Sequence, residues 1–184
     1  MKKVAIILAD GFEELEALSP KDVLNRVGIQ ADLVTIKSEK QVQGANGVTV
    51  IADDLLDNVN IDSYDAIVLP GGMPGALNLS KDERVINTIK KFDQEEKIVG
   101  AICAAPALVI SKSKIALGRR VTSYPGMEDY LQESEYVNNE LVVRDNNLIT
   151  SRGPATALAF AYKLVEALGI DANSVKQGML YDLL

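Results

Sequence analysis

The sequence predicts an α/β fold: a doubly wound, mostly parallel sheet with helices on both faces, in a single domain. Three observations predict it. Short, unbroken apolar runs rich in β-branched residues recur along the chain, the pattern of strands covered on both faces. Segments with helical spacing lie between them, and strand–helix alternation means a parallel sheet. The chain has 184 residues, 47% hydrophobic and 24% charged, which suits one compact core. No stretch reads as a linker, a low-complexity tract or an internal repeat.

The first strand is Val4–Ala9, ended by Asp10-Gly11. Glu13–Val27 has helical spacing, with Leu15, Leu18, Val23, Leu24 and Val27 apolar. Pro20 predicts a kink there, or a restart capped by Ser19, and Gly28 closes the helix. Ala31–Ile36 is the second strand, and Val42–Asp53 reads as a small hairpin turned by Gly44–Gly47. Ala66–Leu69 is a buried strand followed by the loop Pro70–Gly75, and Glu83–Phe92 is a helix. Lys97–Ile102 is a strand, and a helix runs from near Ala104 to near Lys112. Arg120–Ser123 is a short strand leading to Tyr124-Pro125. Glu140–Ser151 forms a hairpin around Asp145-Asn146-Asn147. Pro154 opens an apolar helix over Ala155–Leu168, and a last short helix covers Ala172–Leu180.

Composition excludes several function classes. The net charge is −7 with no Lys/Arg cluster, which argues against nucleic acid. Histidine is absent and there is one cysteine, so Cys-His and Ser-His mechanisms fall away and a zinc site is not expected. A lone cysteine forms no intramolecular disulfide, which fits a cytoplasmic protein. The apolar run after Met1-Lys2-Lys3 is too short for a signal-peptide core or a membrane span.

The one cysteine, Cys103, falls between the end of a strand and the start of a helix. A residue on such an elbow is pushed out of the backbone envelope. Helix amides behind it favour a thiolate. The alternative is a small buried hydrophobe. In parallel sheets functional groups gather beyond the carboxyl ends of the strands, here Asp10–Glu16, Pro70–Gly75, Cys103–Pro106 and Tyr124-Pro125. Asp10–Glu16 is no phosphate loop: it lacks a GxGxxG pattern and carries three glutamates. Each glutamate is a helix-dipole partner, or one of them turns toward the sulfur with a raised pKa; periodicity does not choose which. The Pro70–Gly75 loop is either a tight turn or a source of oxyanion-binding amides. Arg152 either fixes a carboxylate or makes a structural ion pair, and Tyr124 either lines the pocket or packs in a turn.

Five ordered motifs, Ala5–Glu16, Val68–Gly75, Ala101–Pro106, Val121–Pro125 and Thr150–Pro154, resemble the DJ-one/ThiJ/PfpI superfamily almost end to end. They are most similar to its DJ-one branch and bacterial relatives. The resemblance implies a flavodoxin-like domain over residues 1–184, of the class I glutamine amidotransferase-like kind, in a homodimer. It implies that Cys103 is the reactive cysteine, that Glu16 bonds its sulfur, and that the amides of Gly72 and Ala104 form an oxyanion-type site. Gly71 and Pro154 fall in the same motifs, and Arg26 and Arg152 match positions tied to the site region and dimer contacts. The branch often has His where this chain has Tyr124, so imidazole-dependent steps are not available. Two functions are then expected. One is a cofactor-free cysteine enzyme acting on reactive aldehydes or on glycated amines and thiols. The other is a redox-sensing or chaperone-like stress protein that uses oxidation of Cys103. An intracellular protease is disfavoured without histidine.

Overall fold

The computed structural model describes residues 1–183. Its main sheet has seven strands in the order β10-β11-β7-β6-β1-β2-β5. These are β1 (Lys3–Leu8), β2 (Gln30–Thr35), β5 (Asp54–Leu55), β6 (Ala66–Leu69), β7 (Ile98–Ile102), β10 (Val142–Asp145) and β11 (Leu148–Ser151). All neighbours run parallel except β10, which turns back on β11. Helices α1 (Glu14–Arg26) and α5 (Ala157–Ala167) pack together on one face. On the other face α3 (Glu83–Gln94) packs on β6 and β7, with α2 (Gly75–Lys81) beside it. The expected architecture and single domain stand. No helix among the described residues is long and apolar enough to cross a membrane.

Several local expectations change. Helix α1 runs through Pro20 without a restart, so Ser19 is not a cap. Pro20 lacks the N–H that would bond the Glu16 carbonyl, but burial of Ala17, Val23 and Leu24 holds the helix on the sheet. Gly28, at a φ of 78°, ends it as expected. Helix α2 lies in a stretch to which the sequence gave no element, just after the expected loop Pro70–Gly75, because its short apolar set (Ala76, Leu79) gives little periodicity. The strand β5 is two residues long and directly follows the expected hairpin, where the sequence offered no strand. That hairpin, β3 (Gln41–Gln43) with β4 (Thr49–Ile51), stands off the main sheet. The strand at Arg120 shortens to β8 (Arg120–Val121) and pairs with β9 (Glu135–Tyr136), outside the main sheet. The helix expected after Cys103 is a π-helical segment, Pro106–Ile110, and one more turn, α4 (Ser111–Ser113). The last helix, α6, covers Asn173–Gly178.

Strand β7 shows why the core tolerates little change. A Cβ added at Gly100 would lie 2.9 Å from Phe160 Cζ and 3.0 Å from Leu164 Cδ2, both fully buried on α5. Gly100→Ala is therefore expected to cost roughly 1–3 kcal/mol by overpacking. Urea unfolding at neutral pH measures it; an unchanged midpoint would mean that α5 can move off the sheet.

The site follows from the strand order. Strands β1, β6 and β7 are neighbours, so the loops leaving their carboxyl ends share one small space about 4.8 Å per strand wide.

Candidate active site

Cys103 sits immediately after β7 with a φ of 64°, in the left-handed region. A side chain there costs of order 1–3 kcal/mol, so the surroundings must hold it. They do so from both sides. Its N–H donates to the Ser151 carbonyl (3.0 Å), and its own carbonyl accepts from the Tyr124 N–H (2.8 Å). The kink turns the sulfur out of the strand line and toward the loop after β6. There the N–H groups of Ala104 and Gly72 both face it. Cys103 is 9% exposed, which leaves it a narrow opening.

Glu16 approaches from the other side. It is the third residue of α1, where a glutamate normally reaches back to the amide of the capping residue. Here that amide, from Glu13, donates to the Gly71 carbonyl (3.0 Å). The Gly71 N–H in turn donates to Glu16 Oε2 (2.8 Å). The start of α1 and the Gly71 peptide thus exchange two hydrogen bonds, and Glu16 is turned into the site at 0% exposure. Its Oε1 has no N–H or O–H partner, and the polar group beside it is the Cys103 thiol. Gly71 is the contact point: a Cβ there would lie 2.7 Å from Cys103 Cβ, 2.8 Å from Glu16 Oε2 and 3.0 Å from the Ala104 nitrogen. Gly72, at a φ of 84°, is pressed against the backbone of the first loop, 2.4 Å from added Cβ to Glu13 N.

The pair titrates as a unit. Burial pushes Glu16 up to about 7, against the bond from Gly71; the Glu13 carboxylate pushes the same way. Burial and then the charge of Glu16 push the Cys103 thiol up to about 12, while the Ala104 and Gly72 amides pull down. The site therefore accepts one negative charge near neutral pH and resists a second. The expectation that helix amides favour a thiolate at Cys103 is therefore met only in part. The amides are present, but the neighbouring carboxyl competes for the same charge.

The comparisons with known proteins fit this geometry. The model of the DJ-1/PfpI family matches residues 2–167. The chain belongs to the DJ-1/PfpI family. It is 38% identical over 168 residues to protein dj-1beta of Drosophila melanogaster, covering 91% of this chain and 89% of that protein. The crystal structure of that fly protein superposes with a TM-score of 0.93 at 37% identity, covering 97% of each chain. A DJ-1 superfamily protein from Salmonella typhimurium gives a TM-score of 0.92 at 32% identity, covering 98% of each. A protein of Pyrococcus abyssi named a deglycase is 36% identical over 169 residues, 90% of this chain and 99% of its own length. Protein DJ-1 homolog B of Arabidopsis thaliana is 39% identical over 164 residues; the match covers 89% of this chain but 37% of that longer protein.

Not every residue suggested by the DJ-1/PfpI motifs reaches the sulfur. Tyr124 is 49% exposed; its backbone bonds Cys103, and its ring lies over Gly153. Arg152 follows the Ser151 that bonds Cys103, and spends one nitrogen on Thr122 Oγ1 (3.2 Å) and the Asn138 carbonyl (2.9 Å). Pro154 opens a short turn ahead of α5, next to this corner. Arg26 lies ten residues past Glu16 on α1, about 15 Å along the axis, and pairs with Asp22 at 2.8 Å. It lies away from Cys103. The sequence reading gave Asn46 no role, Gly44 only that of turning a hairpin, and Glu14 only a share in three candidate acids; together they brace the start of α1. Their signal was a hairpin turn with no catalytic residue type in it.

Proposed function

We propose that this protein is a cofactor-independent cysteine enzyme that acts on reactive carbonyls, of glyoxalase or deglycase type. One observation carries the reading: a buried carboxyl and a thiol lie side by side beneath two converging backbone amides. That is what addition to a carbonyl needs. The Glu16 carboxylate takes the proton of the Cys103 thiol as the sulfur adds to the aldehyde carbon, and the carbonyl pair moves onto oxygen, which the Gly72 and Ala104 N–H groups stabilise. Glu16 protonates that oxygen. Its carboxylate then takes the proton from the same carbon and returns it to the neighbouring one, converting the adduct of a 2-oxoaldehyde to a thioester. Water releases the acid and restores the thiol. For methylglyoxal the sum is one water added and lactate formed, with no outside oxidant. A pKa of about 7 for Glu16 suits a group that must both give and take a proton. The deglycase of Pyrococcus abyssi among the relatives supports this class of substrate.

The test is lactate formation from methylglyoxal by the purified protein. The expected result is turnover in wild type and none above background in Cys103→Ser. Equal rates in both would end the proposal.

A second reading, redox sensing, is favoured by a solved relative, Toxoplasma gondii DJ-1 in its oxidized form, at 32% identity and a TM-score of 0.91. A protonated Glu16 beside the sulfur would donate to a sulfinate. Peroxide titration followed by intact mass is expected to show Cys103 taking up oxygen faster than free cysteine. A rate no faster than free cysteine counts against it. In either reading we assign Arg26 to the interface of a homodimer rather than to the pocket.

A further inference from the structure

We propose that Asn46 is a positioning residue for the Glu16–Cys103 pair, acting from the β3–β4 turn by clamping Glu13 and Glu14 at the start of α1. The inference rests on the reading above only for what the pair does. Helix α1 begins without a side-chain cap: Glu13 occupies the capping position and makes no such bond. An uncapped first turn frays unless something else holds it. The turn between β3 and β4 supplies that hold. Asn46 Nδ2 donates to Glu13 Oε2 and to Glu14 Oε2, each at 2.9 Å. The Asn46 backbone N–H donates to Glu14 Oε1 at 2.8 Å, and the Val48 N–H adds a bond of 3.3 Å to the same atom.

A side-chain amide suits the position because it carries two donors on one nitrogen, and here each serves a different carboxylate. The turn is itself anchored. Gly11 N–H donates to the Gln43 carbonyl (2.7 Å) and Ala45 N–H to the Phe12 carbonyl (2.8 Å). Gly44 must lack a side chain, since a Cβ there would lie 2.4 Å from Glu14 Oε1. Burial pushes Glu14 up, but the bonds from Asn46 and nearby amides outweigh it and hold its carboxyl below the usual range. Glu14 thus stays a charged strut, two residues before Glu16.

The clamp has a chemical consequence. The titratable groups that act on Glu16 are Cys103, across the site, and Glu13, on its own helix; Glu14 is turned away toward the hairpin. By fixing Glu13, Asn46 keeps a negative charge at a set distance from Glu16. Freed from Asn46, Glu13 swings into solvent, where its influence is screened.

The experiment follows the pH dependence of Cys103 alkylation by iodoacetamide in the full chain, read by mass spectrometry. The midpoint read is the inflection that Glu16 sets near pH 7, and the expected result is that it falls by about 0.3 pH unit or more in both Asn46→Ala and Glu13→Gln, from loss of one nearby charge. The double variant should move no further than the larger single change, because both act through one link. An unmoved midpoint with a lower melting temperature would make Asn46 merely structural and overturn the proposal, as would additive shifts. Glu13→Gln leaves every bond to Glu14 in place; if Asn46→Ala does not fold, an unmoved midpoint in Glu13→Gln overturns the proposal by itself. Alkylation needs no carbonyl turnover, so failure of the enzyme reading in the lactate assay stays separate from failure here.

Discussion

Gly71→Ala is expected to lower Cys103 alkylation and carbonyl turnover by about 10²-fold while leaving a folded protein, because it displaces the reacting groups rather than removing them. The added methyl would meet Cys103 Cβ at 2.7 Å, Glu16 Oε2 at 2.8 Å and the Ala104 nitrogen at 3.0 Å. None of the three can yield freely. Cys103 is pinned at both its N–H and its carbonyl. Glu16 is fixed by α1, and Ala104 opens the segment that follows the elbow. The peptide of Gly71 must therefore move, and it carries the bond to Glu16 Oε2 and the acceptor for Glu13. Overpacking of this kind costs roughly 1–3 kcal/mol, visible as a lower melting temperature. The measurement is the second-order rate of iodoacetamide alkylation at fixed pH beside the thermal midpoint. A wild-type rate in a destabilised variant would show that Gly71 supports the fold and not the pair.

Glu16→Gln is expected to flatten the pH dependence of stability and to strengthen the fold above neutral pH. Glu16 has its folded pKa raised from 4.5 to about 7 by burial. Its protonated form therefore contributes stability that is fully present below about pH 4.5 and is lost as pH rises through about 7. At about 1.4 kcal/mol per pH unit, the loss approaches ~3 kcal/mol. Glutamine keeps an acceptor for the Gly71 N–H and carries no charge to bury. The variant should thus gain up to ~3 kcal/mol on wild type between pH 4.5 and 8, in urea unfolding at each pH. Cys103 does not confuse the window, since its step is pushed up to about 12. The carboxylates held low by ion pairs, such as Asp65 and Asp82, change stability at acid pH alike in both proteins. Parallel stability curves would mean that Glu16 ionises freely in the fold.

The sequence alone carried the sheet, because a strand covered on both faces must be apolar throughout and no other element of that length is. Val4–Ala9, Ala66–Leu69 and the run into Cys103 were legible for that reason. So were the elbow cysteine, the glycine loops beside it and the absence of imidazole. Motif order pointed to Glu16 among three acidic neighbours, but periodicity could not. Adjacent helix positions differ by about 100°, and only the packed face tells which of them is inside. The tertiary structure decided the rest. It turned Glu16 inward by exchanging bonds with Gly71, placed Arg26 away from Cys103, and brought Asn46 to the head of α1 from a hairpin 32 residues past Glu14. It also decided that burial raises both the carboxyl and the thiol beside it. Residue type sets an intrinsic pKa, but desolvation and the distance to a second charge exist only once the chain has folded.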